Sequence, residues 1–257
     1  MENPSNFHVQ LAKTPADLVA IQRLRYEVFV VEMGANTVEI DHAKGLEQDT
    51  YDAHCRHLML LDLDRSPDRL EQLVGIYRVL TQKGADAAGG FYSATEFDLN
   101  PLLKSGRTLL ELGRSCLRKS YRGGSAMFYL WQGLSGLIVK EDAEILFGAA
   151  SFKGTNIAAL AQPLSLLHEE YLTSVDLRPK VLPQAYVSLS QLEKSQIERL
   201  TALKAMPALI KAYLRLGGGV ADGAFIDQNF NTTDVCMVLD IKKMSSRQKS
   251  IYFRKLK

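Results

Sequence analysis

The chain has 257 residues, 46% of them hydrophobic and 23% charged, which suits a soluble enzyme with one substantial core or one core plus a small appendage. No apolar run approaches the roughly 18 residues of a membrane span, and MENPSNFHVQ lacks the basic-then-apolar order of a signal peptide, so a cytoplasmic protein is expected. The net charge of +2 is uneven. Residues 241–257 carry seven Lys/Arg and no acid, and subtracting seven from 31 leaves 24 basic against 29 acidic residues. A nucleic-acid binder would be basic over its body as well, so none is expected. A basic tail over 242–257 suits an anionic partner (an acidic protein or the inner face of the cytoplasmic membrane), or a solvated end.

In chain order, residues 7–13 read as a strand, and Thr14 caps a helix with Pro15 at its first position and Asp17 in its first turn. Leu18, Ile21, Leu24, Val28 and Val31 follow at core spacing, and Gly34 stops the helix. Residues 35–56 form a long polar connection, a length usually kept for function. Residues 57–64 and 73–82 read as strands joined by a charged hairpin, and 91–97 as a third. The apolar run 107–120 leads through YRGG into a helix over 125–140, and 144–152 is a further strand. Helices are expected near 156–171 and over 191–216, ended by three glycines, and the last strand over 234–241. The chain thus reads as one α/β domain, 1–257, with a C-terminal helical elaboration over roughly 155–220.

Three constellations carry chemistry. The first is LRKSYRGGSA, which sets Arg118, Lys119, Arg122, Gly123, Gly124 and Ser125 at a helix N-terminus, a place suited to phosphate. The chain lacks both the P-loop pattern and GxGxxG, which tells against nucleotide hydrolysis and dinucleotide chemistry. The second is ELGRSC, where Glu111 and Arg114 interrupt an apolar strand. A bulge at Gly113 would bring both to one face, as a structural ion pair or as a proton acceptor with its orienting cation. The third is Arg25 with Phe29 on the first helix, Asp49 with Asp52 in the long connection, and Arg78 within an apolar strand. Five histidines show no triad or metal spacing, and Cys116 has no evident His partner, so neither a metal nor a covalent acyl-enzyme is expected.

RxxxF (Arg25, Phe29), DxxD (Asp49, Asp52), GIYR (Arg78) and ExxR (Glu111, Arg114), in this order, resemble the acyl-homoserine-lactone synthases. LRYEVFVVEMGA, VGIYRVL, YSATEFDL, ELGRSC, FYLWQGL, PALIKAYLRLGG and DQNFNTTDVC resemble, over nearly the whole chain, the ornithine N-alpha-acyltransferases that begin ornithine-lipid synthesis. The VEMG after Phe29 departs from the tryptophan of the signal synthases and favours the aminolipid branch. The resemblance implies a GNAT fold, a mixed central sheet flanked by helices. It implies transfer of a 3-hydroxyacyl chain from acyl carrier protein to the α-amino group of ornithine, with lyso-ornithine lipid as product. The carrier's phosphopantetheine thioester is then a co-substrate, and no metal or redox cofactor is needed. Glu111, Arg114 and Ser115 would be catalytic, Arg25, Phe29, Asp49, Asp52, Arg78 and Phe97 would shape the acceptor side, and residues 118–125 would meet the carrier. Alternatives are the same reaction on glutamine or another amino acid, signal-lactone synthesis from S-adenosylmethionine, and a silent carrier-binding module.

Overall fold

Thr14 opens the first helix with a capping box: its hydroxyl accepts the Asp17 N–H, and the Asp17 carboxylate accepts the Thr14 N–H. The computed structural model describes residues 6–252. Strand β1 (Phe7–Leu11) and helix α1 (Pro15–Arg25) stand where the sequence puts them. The helix then widens into a π-helix, Tyr26–Glu32, before Gly34 turns the chain at φ +82°. That widening carries Val31 off the stripe that buries Ile21, Leu24 and Val28, leaving Val31 70% exposed rather than in the core.

Strands β2 (Arg56–Asp62) and β3 (Leu73–Thr81) pair antiparallel, with a short helix, α2 (Arg69–Gln72), in their connection. Helix α3 (Gln82–Ala88) is capped by Thr81. Residues 91–97, expected as a strand, form a 3₁₀ turn (Tyr92–Thr95) and join a ladder only through β4 (Phe97–Asp98). The Tyr92 and Ser93 N–H groups go to the Glu111 carboxylate instead of a neighbouring strand. After α4 (Asn100–Leu103) come β5 (Leu109–Leu117), α5 (Ala126–Lys140), β6 (Ile145–Lys153) and α6 (Ala161–Tyr171), near their predicted places. The elaboration also holds two short strands, β7 (Lys180–Val181) and β8 (Tyr186–Val187), which sequence periodicity did not reveal. The single helix expected over 191–216 is two, α7 (Arg199–Ala205) and α8 (Ala208–Arg215), because Pro207 has no N–H with which to continue α7. β9 (Gly219–Val220), β10 (Ala224–Asp227), β11 (Thr232–Asp240) and α9 (Ser246–Tyr252) complete the chain.

Among the described residues the main sheet runs β1-β2-β3-β5-β6-β11-β10-β8, with β9 beside β11. Every neighbouring pair is antiparallel except β5 and β6. Those two pair in parallel only from Leu109/Ile145 to Glu111/Phe147 and then part, β5 staying with β3 and β6 with β11. Helix α5 covers one face through Leu130, Trp131, Leu134 and Ile138, and α1 covers the other against Met59, Leu61 and Ile76. Gly148 sits at the parting, where a Cβ would lie 2.0 Å from the Leu112 carbonyl oxygen. Gly148→Ala must therefore push the strands apart, and we expect a loss of about 1–3 kcal/mol in urea unfolding.

No helix among the described residues is long and apolar enough to cross a membrane. The basic segment is partly docked. Met244 is 6% exposed in the main core, and Gln248 donates to the Arg215 carbonyl. The side chains of Ile251 and Tyr252, and residues 253–257 with Phe253 and Leu256, lie outside the described residues.

Candidate functional site

The ELGRSC segment forms the middle of β5, and its bulge is real but one step later than Gly113. Arg78 pairs with Gly113 and Ile76 with Cys116, so Tyr77 alone opposes both Arg114 and Ser115. Arg114 takes the left-handed conformation, φ +49°, that a glycine would have adopted without strain. Its side chain is tightly held. Nε donates to Glu47 at 3.2 Å and a terminal nitrogen to Asp49 at 3.1 Å, with the guanidinium 4.7 Å from the Tyr92 ring and 4.6 Å from that of Phe230.

Arg114 is one corner of a closed ionic network. Arg25, with no exposed surface, donates to Glu47 and, at 2.6 Å, to Asp52. Arg78 reaches Asp49 at 2.6 Å and Asp52 at 3.0 Å. Three arginines thus meet three acids, Glu47, Asp49 and Asp52, all buried or nearly so. Burial opposes ionisation of the acids, yet Arg25 and Arg78 hold Asp52 well below the usual carboxylate range, and Arg114 with Arg25 lowers the Glu47 carboxyl. The acids carried by the long polar connection serve to fasten it to the sheet. Phe29 packs at the network's apolar edge, edge-to-face with Phe230, and lines the cavity. Phe97, expected on the acceptor side, is instead 1% exposed in an apolar cluster with Phe91, Leu99 and Phe147, because β4 turns it inward.

Glu111 does not pair with Arg114, so the structural ion pair expected of that couple is absent. Its two oxygens accept the N–H groups of Tyr92 and Ser93 at 2.8 and 2.6 Å. Burial pushes its carboxyl above the ordinary range, against the pull of those bonds and of Arg78. Glu111 also faces a cavity of about 620 Å³ that opens where β5 and β6 part. One wall is apolar, from Val28, Met33, Met127 and Trp131 to Leu209 and Ala212 of α8. Ser115 faces the same space beside the Tyr77 hydroxyl, itself 3.5 Å from that of Tyr213. Burial pushes the Cys55 thiol up to about 12 and those of Cys116 and Cys236 higher still, so no thiolate nucleophile is available near neutral pH.

At the α5 end, Arg122, Gly123 and Gly124 line the cavity, with Gly123 at φ +83° and Ser125 at the helix cap. The basic residues there are mostly occupied. Arg118 binds the Leu70 and Leu73 carbonyls and Glu27, and Arg122 binds the Leu117 carbonyl and Glu32. Lys119 lies beside an open depression with Glu27, Glu32 and Arg65, and has no ion pair among the described residues.

Residues 24–132 match the family described as Acetyltransferase (GNAT) domain. The L-ornithine N(alpha)-acyltransferase of Rhodobacter capsulatus is 45% identical over 253 residues, covering 98% of this chain and 97% of that one. The protein of the same name from Brucella abortus is 39% identical over 249 residues, 96% of this chain and 89% of its own. The chain belongs to the L-ornithine N(alpha)-acyltransferase family. Its fold resembles the crystal structure of the AHL synthase LasI, with a TM-score of 0.50 at 15% identity over 97% of this chain and 95% of that one. The sheet is accordingly the mixed GNAT sheet that the motifs implied.

Two features of this acyltransferase escaped the sequence reading. Glu47 completes the network but lies outside the DxxD spacing that drew attention to Asp49 and Asp52. Glu96, Asp227 and Asp234 bring carboxylate oxygens within 4.8 Å of one another at the cavity wall, an arrangement able to hold a cation. Asp227 and Asp234 sit in the DQNFNTTDVC run already noted for family resemblance; three acids separated by most of the chain carry no spacing signal.

Proposed function

We propose that the chain transfers a 3-hydroxyacyl group from the phosphopantetheine thioester of acyl carrier protein to the α-amino group of L-ornithine, giving lyso-ornithine lipid. The observation that carries this reading is the cavity between the parted strands, apolar along α5 and α8 and acidic at its other end. The names of the relatives support ornithine as acceptor. In this reading the carrier's arm enters past Gly123 and Gly124, its phosphate near the N-terminus of α5. Glu111 takes a proton from the acceptor's ammonium, and the freed amine attacks the thioester carbonyl. The C–N bond forms, the C–S bond breaks, and the second proton of the attacking nitrogen passes through the Ser115 hydroxyl to the leaving thiolate, so that Ser115 ends as it began. A backbone N–H of β5, released from pairing beyond Glu111, stabilises the oxyanion. The ionic network fixes the bulge that aims Arg114 and Ser115.

The test is direct: purified protein, 3-hydroxyacyl carrier protein and single amino acids, with products identified by mass spectrometry. A lyso-ornithine product is expected. Equal efficiency with acyl-coenzyme A would overturn the carrier as donor, and a lactone from S-adenosylmethionine would overturn the acceptor. Lys119 is the cation we place against an acidic carrier. Lys119→Glu should lower kcat/KM for the carrier substrate without lowering single-turnover chemistry, and the defect should shrink as salt rises. Lys242, Lys243, Arg247 and Lys249 would bring the product near an anionic leaflet. Sedimentation with anionic vesicles should then weaken at high salt and fail with neutral ones.

A further inference from the structure

Apart from the ionic network and Glu111, the cavity holds one more group of buried charges. Glu96 follows the turn that Glu111 clamps, Asp227 ends β10, and Asp234 lies on β11. They are 4%, 8% and 5% exposed, and all three line the cavity. Among the described residues none forms an ion pair with Lys or Arg. The nearest guanidinium, Arg114, is engaged by Glu47 and Asp49. Asp227 spends one oxygen on the Asn229 and Phe230 N–H groups, a turn-making use. Glu96 has no such use: its Oε2 is buried without a hydrogen-bond partner. A buried carboxylate without a donor is costly, and three close together repel one another. Such a group persists where a cation completes it.

We propose that Glu96, Asp227 and Asp234 seat the side-chain ammonium of the acceptor, selecting a diamino acid over a neutral one. This rests on the acyl-transfer reading above, and it names what sets acceptor choice within it. The chemistry is specific. A primary ammonium offers three donors and one positive charge, matching three converging carboxylates; a glutamine amide offers two donors and no charge. Glu111 stands on the same cavity and clamps the turn that leads to Glu96, so one acceptor would span both, α-nitrogen at Glu111 and side-chain nitrogen at the triad. Arg114 lines the same cavity, its faces covered by the Tyr92 and Phe230 rings, and would meet the α-carboxylate with N–H groups at its edge.

Norvaline, which keeps the chain of ornithine and lacks only the terminal nitrogen, is the decisive comparison. In the parent, kcat/KM should favour L-ornithine over L-norvaline by at least about 10³-fold, as expected when a buried polar site loses its partner. Asp234→Asn and Glu96→Gln should each cut that ratio by about 10²-fold or more, mainly through KM for ornithine. Burial and Asp227 push the Asp234 carboxyl up to about 6, eased by the Ser151 and Thr232 hydroxyls and by Arg114, with Glu96 raised as well. Ornithine KM should therefore fall as pH rises through about 6, while norvaline KM stays flat. Asp234→Asn should also melt at or above the parent temperature near pH 8, because it removes a buried charge without an ion-pair partner. Two further measurements separate the alternatives. Ornithine binding by calorimetry needs no acyl donor, so binding that is lost in Asp234→Asn while the parent shows no turnover would overturn the acyl-transfer reading and keep the seat. Equal loss of ornithine and norvaline turnover, equal use of both by the parent, or abolition of turnover by a chelator and its restoration by Ca²⁺ or Mn²⁺ would overturn the seat.

Discussion

Arg25→Met should destabilise the fold by about 3–5 kcal/mol, the cost of leaving a buried ionic group short of one partner. The side chain has no exposed surface and holds both Glu47 and Asp52, which anchor the long connection to the sheet. Removing it leaves three buried acids against two arginines. Against a typical total of about 5–15 kcal/mol, that loss is large enough to appear in expression as well as in urea unfolding. Pairing it with Asp52→Asn restores neutrality and should return part of the loss, a coupling that a double-mutant cycle measures directly. The pH sign follows from the arginines holding Asp52 and Glu47 below the ordinary range. Stability from those bonds is complete above the unfolded carboxylate value of about 4 and is lost as pH falls below it. The gap between parent and Arg25→Met should therefore be full at neutral pH and narrow in acid. Arg56→Ala, which breaks a half-buried pair with Glu141 at the rim of the sheet, should change stability far less.

Glu111→Gln should lower the transfer rate by about 10²–10⁴-fold, the usual contribution of a positioned base. The substitution also disturbs the clamp, since an amide can accept only one of the Tyr92 and Ser93 N–H bonds through its oxygen. That loss is worth about 1 kcal/mol of stability, far too little to explain the rate if the variant remains folded. The pH profile separates the two effects. Burial raises the Glu111 carboxyl, so the parent rate should climb with pH until Glu111 is ionised, and the variant should lack that limb. A variant within a few-fold of the parent would take the base assignment away from Glu111.

The continuous apolar runs of β2, β3, β5 and β11 were legible because each is longer than five residues and largely buried on both faces, and α1 because Thr14, Pro15 and Asp17 mark its start. β4, β7, β8 and β9 were not, since two residues carry no period. Arg25, Asp49, Asp52, Arg78 and Arg114 announced themselves as charges in or beside apolar surroundings, and the fold joins all five. Their roles were harder to read. Arg118 and Arg122 look like phosphate ligands in sequence, but carbonyl oxygens in α2 and at the start of β3 occupy Arg118, and one at the end of β5 occupies Arg122. The bulge was placed at Gly113 on conformational freedom alone, whereas the ionic partners of Arg114 impose the left-handed residue one position later. Glu96, Asp227 and Asp234 converge only through the 92–95 turn and the β10–β11 pairing, which no local pattern foretells.

The strand partnership of β6 also constrains how the chain can be made. β6 joins β5 by three rungs but β11 by nine, from Thr232/Lys153 to Asp240/Ile145. During synthesis β6 emerges long before β11, and until then its Ile145, Leu146 and Phe147 flank a row of backbone groups without a neighbour. Contacts of such sequence separation close slowly. The nascent chain therefore passes through a stage with an open apolar strand edge, and a ribosome-bound chain stalled near residue 225 should engage chaperones that the finished protein ignores.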